Sequence, residues 1–390
     1  MEKTWRWFGK KDSISLQTIK QIGVESIVTS LYDIPNGEIW SVENINKVKT
    51  YIEHQGLRWS VVESLPVSEA IKYGGIDRDK LIENYKISLK NLGEIGIKTV
   101  CYNFMPVIDW VRTELNYPLA DGSSSLYFSW VHLAYFDIHI LCRKNATKDY
   151  TENILNQVSR LEKTITAAEK EKLIDTIIVK TQGFISGNFK NSEQNPVEIF
   201  RHLLTFYDNI NKEQLRENLK YFLKAVMPVC DTYNINLCIH PDDPPFQVLG
   251  LPRIVTSEQD IDWILRAVKN PHNGLTFCAG SLSAGTHNDL PKMADKFALH
   301  THFAHLRSTT VLENGDFLEA SHLEGRAKLI DVIRIFEKEN PNIPMRIDHG
   351  RLLTEDIDKG YNPGYSFHGR MLAFAQVEGI MAVVKNELKL

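Results

Sequence analysis

"LIENYKISLKNLGEIG", residues 81–96, is followed one residue later by "KTVCYNF", residues 98–104. In the first piece Ile82, Tyr85, Leu89 and Leu92 recur at three- and four-residue steps, the spacing that gathers apolar side chains on one face of a helix. Gly93 and Gly96 then end the helix, since glycine takes up the left-handed conformation of a C-terminal cap without strain. The second piece is rich in β-branched and aromatic residues and reads as a short buried strand. A helix leading into a strand is half of a βαβ unit, so the fold depends on how often the alternation repeats.

Outward from this unit the alternation continues. Similar β-rich runs stand at "TWRWFG" (4–9), "VESIVTSL" (24–31) and "LRWSVVES" (57–64), then at "INLCIHP" (235–241), "GLTFCAG" (274–280), "HFAHLRS" (302–308) and "MRIDHG" (345–350). Eight strands separated by amphipathic stretches predict an α/β fold of the (β/α)8 TIM-barrel type, with an open doubly wound sheet as the alternative. Neither GxGxxG nor GxxxxGK[ST] occurs to favour a nucleotide fold. About 130 residues separate the fourth and fifth runs, several times an ordinary crossover, so this connection must hold structure of its own. Asp121-Gly122 between β-capable runs signals a hairpin, and "VHLAYFDIHILCR" onward reads as helices. The expectation is one barrel domain over 1–390 with an inserted hairpin-plus-helix region at about 110–230. An insertion that follows a barrel strand sits on the catalytic face, which makes this region a candidate lid.

The 390 residues, 43% of them hydrophobic, suffice for a barrel-sized core. A formal net charge of -4 offers no attraction to nucleic acid or to an anionic membrane surface, so a small molecule is the expected partner. The start "MEKTWRWFGKKDS" has no signal-peptide core, and no uncharged apolar run approaches the roughly 20 residues that span a bilayer. A soluble cytoplasmic protein is expected. Cys101, Cys142, Cys230, Cys238 and Cys278 are odd in number and lack CxxC spacing, which argues against a disulfide framework and a zinc ribbon. Nothing in the sequence sets the oligomeric state, and a homo-oligomer stays open.

The last four strands each end on a side chain able to ligate a metal: His240, Cys278, His305 and Asp348, spaced 38, 27 and 43 residues apart. Each spacing is about one βα unit, so a barrel would bring all four to one rim around its axis. Singly, each has a plain structural explanation: a buried cysteine packs as a small hydrophobe and a strand histidine as a hydrogen-bonded core residue. Four in register weaken that explanation. His302 and His305 differ by an odd number, so only one faces the axis of a regular strand. His305 is nearer the strand end and is preferred, leaving His300 and His302 with structural or supporting roles. His287 reads as an exposed loop residue and His322 is unassigned. One thiolate, two imidazoles and a carboxylate suit zinc, iron(II) or manganese(II), with softness leaning to zinc or iron.

The segments "TWRWFG", "VCYNFMPVIDWVRTEL" (100–115), "HPDDPP" (240–245), "FCAGS" (277–281), "HFAHLRS", "RIDHGR" and "NPGYS" (362–366), in this order from end to end of the chain, resemble the mannonate dehydratase family. The resemblance implies a (β/α)8 barrel that dehydrates D-mannonate to 2-dehydro-3-deoxy-D-gluconate in hexuronate (glucuronate) breakdown, with Mn2+ or Fe2+ as cofactor. It implies the same four metal ligands, and it overrules softness on zinc. It also implies a catalytic pair, His349 of "DHG" and Tyr365 of "PGY". Proton removal from C2 and loss of the C3 hydroxyl require a base and an acid of different character. Tyr365 is taken as base and His349 as acid, with the phenol pKa expected to be lowered by a nearby cation. Arg6, Asn103, Arg307 and Arg351 stand where they could hold a carboxylate or hydroxyls. Asp242 and Asp243 are candidate supports or ordinary turn residues, and Trp5 and Trp7 are expected to pack. Two rivals remain: another single-metal barrel enzyme acting on sugar acids, an isomerase or hydrolase, and a non-catalytic sugar-acid binding protein.

Overall fold

The computed structural model describes residues 1–182 and 195–389. All eight runs become strands: β1 (Glu2–Arg6), β2 (Ser26–Thr29), β3 (Arg58–Glu63), β4 (Thr99–Tyr102), β7 (Asn236–Ile239), β8 (Asn273–Cys278), β9 (Thr301–Leu306) and β12 (Pro344–Ile347). They pair in parallel and close in the cyclic order β1-β2-β3-β4-β7-β8-β9-β12. A closed parallel barrel excludes the open-sheet alternative. The helix of the opening stretch runs Arg78–Glu94 and buries Ile82, Tyr85, Leu89 and Leu92 against the barrel core. Gly93 lies inside this helix rather than ending it, whereas Gly96, at φ +91°, makes the turn into β4.

The barrel interior explains why functional side chains collect at one rim. Val28, Val61, Cys101, Cys238 and Phe303 form a closed apolar cluster inside the barrel, with Thr276 Oγ1 3.3 Å from Cys101 Sγ. Side chains alternate across a strand, so the residue two places on faces the same way. Two places on from this layer are Glu63, Asn103, His240, Cys278 and His305. Strand register aligns Cys278 with His305 and His305 with Arg346, and Asp348 follows Arg346 on the same face. An apolar plug thus supports a polar ring at the C-terminal ends of the strands, where barrel enzymes carry their chemistry.

The connection from β4 to β7 contributes β5 (Glu114–Pro118) and β6 (Ser124–Phe128), an antiparallel pair whose turn holds Asp121-Gly122. Its four-stranded sheet is completed by β10 (Thr309–Val311) and β11 (Phe317–Glu319), in the order β10-β11-β6-β5. β10 and β11 follow β9, so the sheet joins two loops of the barrel that are remote in sequence. Beyond the hairpin lie helices including Trp130–Tyr135, Glu152–Leu161 and Ala167–Ile174. Phe128, Phe136, Phe200, Val248 and Phe317 belong to an apolar cluster separate from the barrel core. Among the described residues, no helix is long and apolar enough to cross a membrane.

Candidate active site

Three of the four strand-end residues converge. The ligating atoms of His240, Cys278 and His305 all lie within 4.8 Å of one another. His240 Nδ1 is 2.7 Å from the Pro241 carbonyl oxygen, which can only accept, so Nδ1 carries the proton and Nε2 a lone pair. That lone pair faces His305 Nδ1 at 3.2 Å. Cys278 Sγ accepts from the Ser281 hydroxyl at 3.1 Å and approaches its backbone N–H at 3.5 Å. His305 Nε2 is buried, with Glu63 Oε2 3.6 Å away, just beyond hydrogen-bond distance. Two imidazole nitrogens edge to edge beside a sulfur need a proton or a cation between them, and an N, N, S donor set with a carboxylate alongside suits a divalent transition metal. The residues present therefore fit a metal ion.

The fourth residue stands beside this cluster with its oxygens engaged. Asp348 Oδ2 is 3.7 Å from Cys278 Sγ and from His305 Nδ1. Its carboxylate also takes the Arg346 Nη1 donor at 2.5 Å, Arg307 Nε at 2.7 Å and the Tyr365 hydroxyl at 3.1 Å. Burial works against its charge, but Arg346, His349 and Arg307 hold the carboxyl well below its usual range.

His349 and Tyr365 meet over Asp348. The rings are edge to face with centroids 5.3 Å apart, and His349 Nε2 is 3.8 Å from Asp348 Oδ1. Gly364, at φ +80°, allows this turn: a Cβ there would stand 2.9 Å from His349 Cδ2. His349 Nδ1 lies 3.1 Å from Glu319 Oε1. The Tyr365 phenol departs from expectation. Burial, then the Asp348 charge, pushes it up to about 12, although Arg6 and Arg346 pull the other way and Arg6 Nη1 donates to its oxygen at 3.2 Å. The cations are present, but burial outweighs them.

The supporting groups form a buried ion network. Glu63 accepts from Arg346 Nε and Nη2 at 2.8 and 2.7 Å and from Arg6 Nη1 at 3.1 Å. Arg307 reaches Asp243 at 2.5 Å, Glu319 at 3.0 Å and Ser281 Oγ at 3.1 Å. Arg112 bridges Asp243 and Glu319, each at 2.8 Å. Removing one partner from such a network strands a buried charge and typically costs ~3–5 kcal/mol. Asp242 has a different task, capping the backbone N–H groups of Ile254 and Val255 at 2.9 and 2.7 Å.

Of the proposed substrate contacts, Arg6, Asn103 and Arg307 line the central cavity. Asn103 donates to Asp109. Arg351 is not among the lining residues; it pairs with Asp121 of the β5–β6 turn at 2.8 Å. His302 packs outside the ring, with Nε2 3.1 Å from the Pro271 carbonyl, while His300 and His287 are exposed. Trp5 and Trp7 are buried. The open space in the cavity is about 50 Å³, against the ~300 Å³ and upward of ordinary ligand sites, so a sugar acid enters only as side chains give way. Tyr365 also lines a neighbouring cavity of about 610 Å³, together with Phe8 and Tyr361.

Sequence reasoning missed Glu63, Arg346, Arg112 and Glu319. Glu63 and Arg346 left a trace, a charge on the buried end of "RWSVVE" and a charge inside "PMRI". Arg112 and Glu319 left none, because they meet across 207 residues through the second sheet.

A closed parallel barrel with metal-type donors, a histidine and a tyrosine at its C-terminal mouth places the protein among the (β/α)8-barrel enzymes. Within that class the whole chain, residues 1–390, matches the family model for D-mannonate dehydratase (UxuA), and the chain belongs to that family. It is 44% identical to a mannonate dehydratase of Marinomonas sp. (strain MWYL1), over 100% of both chains. Identity to a mannonate dehydratase of Chromohalobacter salexigens is 42%, over 99% of each. The crystal structure of mannonate dehydratase from Streptococcus suis serotype 2 superposes with a TM-score of 0.79 at 33% identity, covering 100% of this chain and 96% of that one.

Proposed function

We propose that this chain removes water from D-mannonate to give 2-dehydro-3-deoxy-D-gluconate, with one Mn2+ or Fe2+ held by His240, Cys278, His305 and Asp348. The observation that carries the reading is the meeting of the three-donor cluster, Asp348 and the His349–Tyr365 pair at one barrel mouth. When bound, the ion supplies a fixed positive charge for the substrate oxygens and for the charge that develops as the C2 proton leaves. Tyr365 as phenolate takes the C2 proton. Arg6 favours that phenolate, and Asp348 opposes it for as long as its charge is not shared. The electron pair from C2–H forms the C2–C3 double bond, the C3–O pair leaves with oxygen, and His349 Nε2 delivers the proton that completes water. The enol then ketonises by taking a proton at C3 and releasing the proton of its C2 hydroxyl.

The β4–β7 connection is read as the cover of the mouth. Trp110 stands against the His349 ring with centroids 5.0 Å apart, and Arg351–Asp121 ties the hairpin to the loop that bears His349. A cytoplasmic site of action goes with this reading, since a reducing compartment keeps the Cys278 thiol free to ligate. The deciding experiment is incubation of the Mn2+-loaded protein with D-mannonate. A 2-keto-3-deoxy acid is expected, and its absence with every candidate metal would refute the assignment.

A further inference from the structure

Glu319 belongs to neither the metal cluster nor the proposed proton-transfer pair, yet its carboxylate reaches His349. It is 2% exposed and sits on β11, held between β10 and the insertion strand β6. Oε1 receives Arg112 Nη2 at 2.8 Å, Arg307 Nη1 at 3.0 Å and the His349 imidazole at 3.1 Å. An ionised carboxylate only accepts, so His349 Nδ1 must carry the proton of that contact and Nε2 is left facing the cavity. The other carboxylate near the ring, Asp348, stands 3.8 Å from Nε2, beyond hydrogen-bond distance. Trp110, Tyr365 and Gly364 box the ring by contact, at centroid separations of 5.0 and 5.3 Å and against Cδ2. These contacts fix the plane of the ring but tolerate its half-turn, which exchanges Nδ1 with Cδ2 and Nε2 with Cε1. In the turned ring a carbon would face the substrate.

We propose that Glu319 is a positioning residue for proton delivery: it selects the tautomer and the flip state of His349, and Arg112 of the β4–β7 connection fixes Glu319 in turn. The inference rests on the proposed function, in which His349 Nε2 protonates the departing C3 oxygen. As the C3–O bond breaks, that proton moves to oxygen, and the neutral imidazole keeps its Nδ1–H on Glu319. The insertion therefore contributes to chemistry as well as covering the mouth. Its Arg112 guanidinium, fully buried, holds the carboxylate that holds the imidazole.

The test compares wild type, Glu319→Gln, His349→Asn and the double variant on two substrates. On D-mannonate, E319Q should lose roughly 10- to 100-fold in kcat, the scale of a misaligned general acid, with KM and bound metal near wild type. Exchange of the C2 hydrogen with solvent deuterium should persist. A 3-deoxy-3-fluoro analogue loses fluoride without needing a proton, so fluoride release should stay within a few fold of wild type. The double variant should be no slower than H349N, because both changes remove the same step. Equal losses of C2 exchange, fluoride release and water loss in E319Q, or a double variant much slower than H349N, would overturn the proposal. A second measurement needs no turnover and no variant at position 319. In 15N-histidine-labelled metal-free protein, the resonance absent from H349N should report a proton on Nδ1; a proton on Nε2 alone would overturn the proposal even if E319Q fails to fold. Failure of wild type to convert D-mannonate would overturn the proposed function, and the tautomer would still decide this one.

Discussion

Tyr365 and His349 share one neighbour, Asp348, and this contact sets what each substitution should do. Tyr365→Phe and His349→Asn keep volume and remove a proton-transfer group, so each should retain metal and lose about 10²-fold or more in kcat. Asp348→Asn should lose metal instead, since a neutral amide is a poorer ligand for a hard divalent cation. Metal analysis beside steady-state rates checks the separation; equal metal loss in all three would merge the two roles. Direction can be read from C2 exchange: with Tyr365 as base, H349N can still exchange the C2 hydrogen while Y365F cannot. Behind the site, His322 is buried, and burial lowers its pKa to about 4 from 6.5 although Glu319 and Asp348 pull the other way. Folded His322 stays neutral where the unfolded chain takes up a proton, so no penalty applies above about pH 6.5, and stability falls as pH drops towards 4. Melting temperatures between pH 7 and 4 should therefore fall less steeply in His322→Gln than in wild type; parallel curves would remove His322 from the acid response.

The elements that bring these residues together are a turn and a borrowed sheet. Gly364 holds φ +80° with His349 Cδ2 in its shadow. Gly364→Ala adds left-handed strain of ~1–2 kcal/mol and displaces the imidazole, so kcat should drop by more than tenfold while the melt shifts by only a few degrees; wild-type kcat would show that the turn has slack. The β5–β6 hairpin is tied to the loop that bears His349 by Arg351–Asp121 and by the Ser124–Leu352 backbone bridge, whose N–H···O distances are 3.0 and 2.8 Å. Shortening its turn around Asp121-Gly122 should leave the barrel folded and raise KM or lower kcat. Unchanged kinetics would assign the hairpin to stability alone.

The barrel and the inserted sheet meet around a site that also needs a metal ion. A ligand that binds only the folded state stabilises it by mass action, about 2.7 kcal/mol at a hundredfold excess over Kd. Chelation should abolish turnover and lower the melting temperature, and Mn2+ or Fe2+ should restore both; a melt indifferent to metal would argue against the cluster as its site. The sequence by itself determined the eight alternating strands and helices, because their periodicities are local; closure of the sheet into a barrel was decided by the tertiary structure. The sequence also placed His240, Cys278 and His305 at strand ends, and closure brought them together at the rim. Tertiary structure alone decided the rest. Asp348 lies within reach of the cluster but is claimed by Arg346 and Arg307, Arg351 turns away to Asp121, and the phenol of Tyr365 is raised because burial outweighs the cations around it. Glu319 reaches His349 through a sheet assembled from segments some 190 residues apart, β6 and β11. Burial, charge balance and contacts between distant segments are sums over the whole fold, and no local pattern of residues records them.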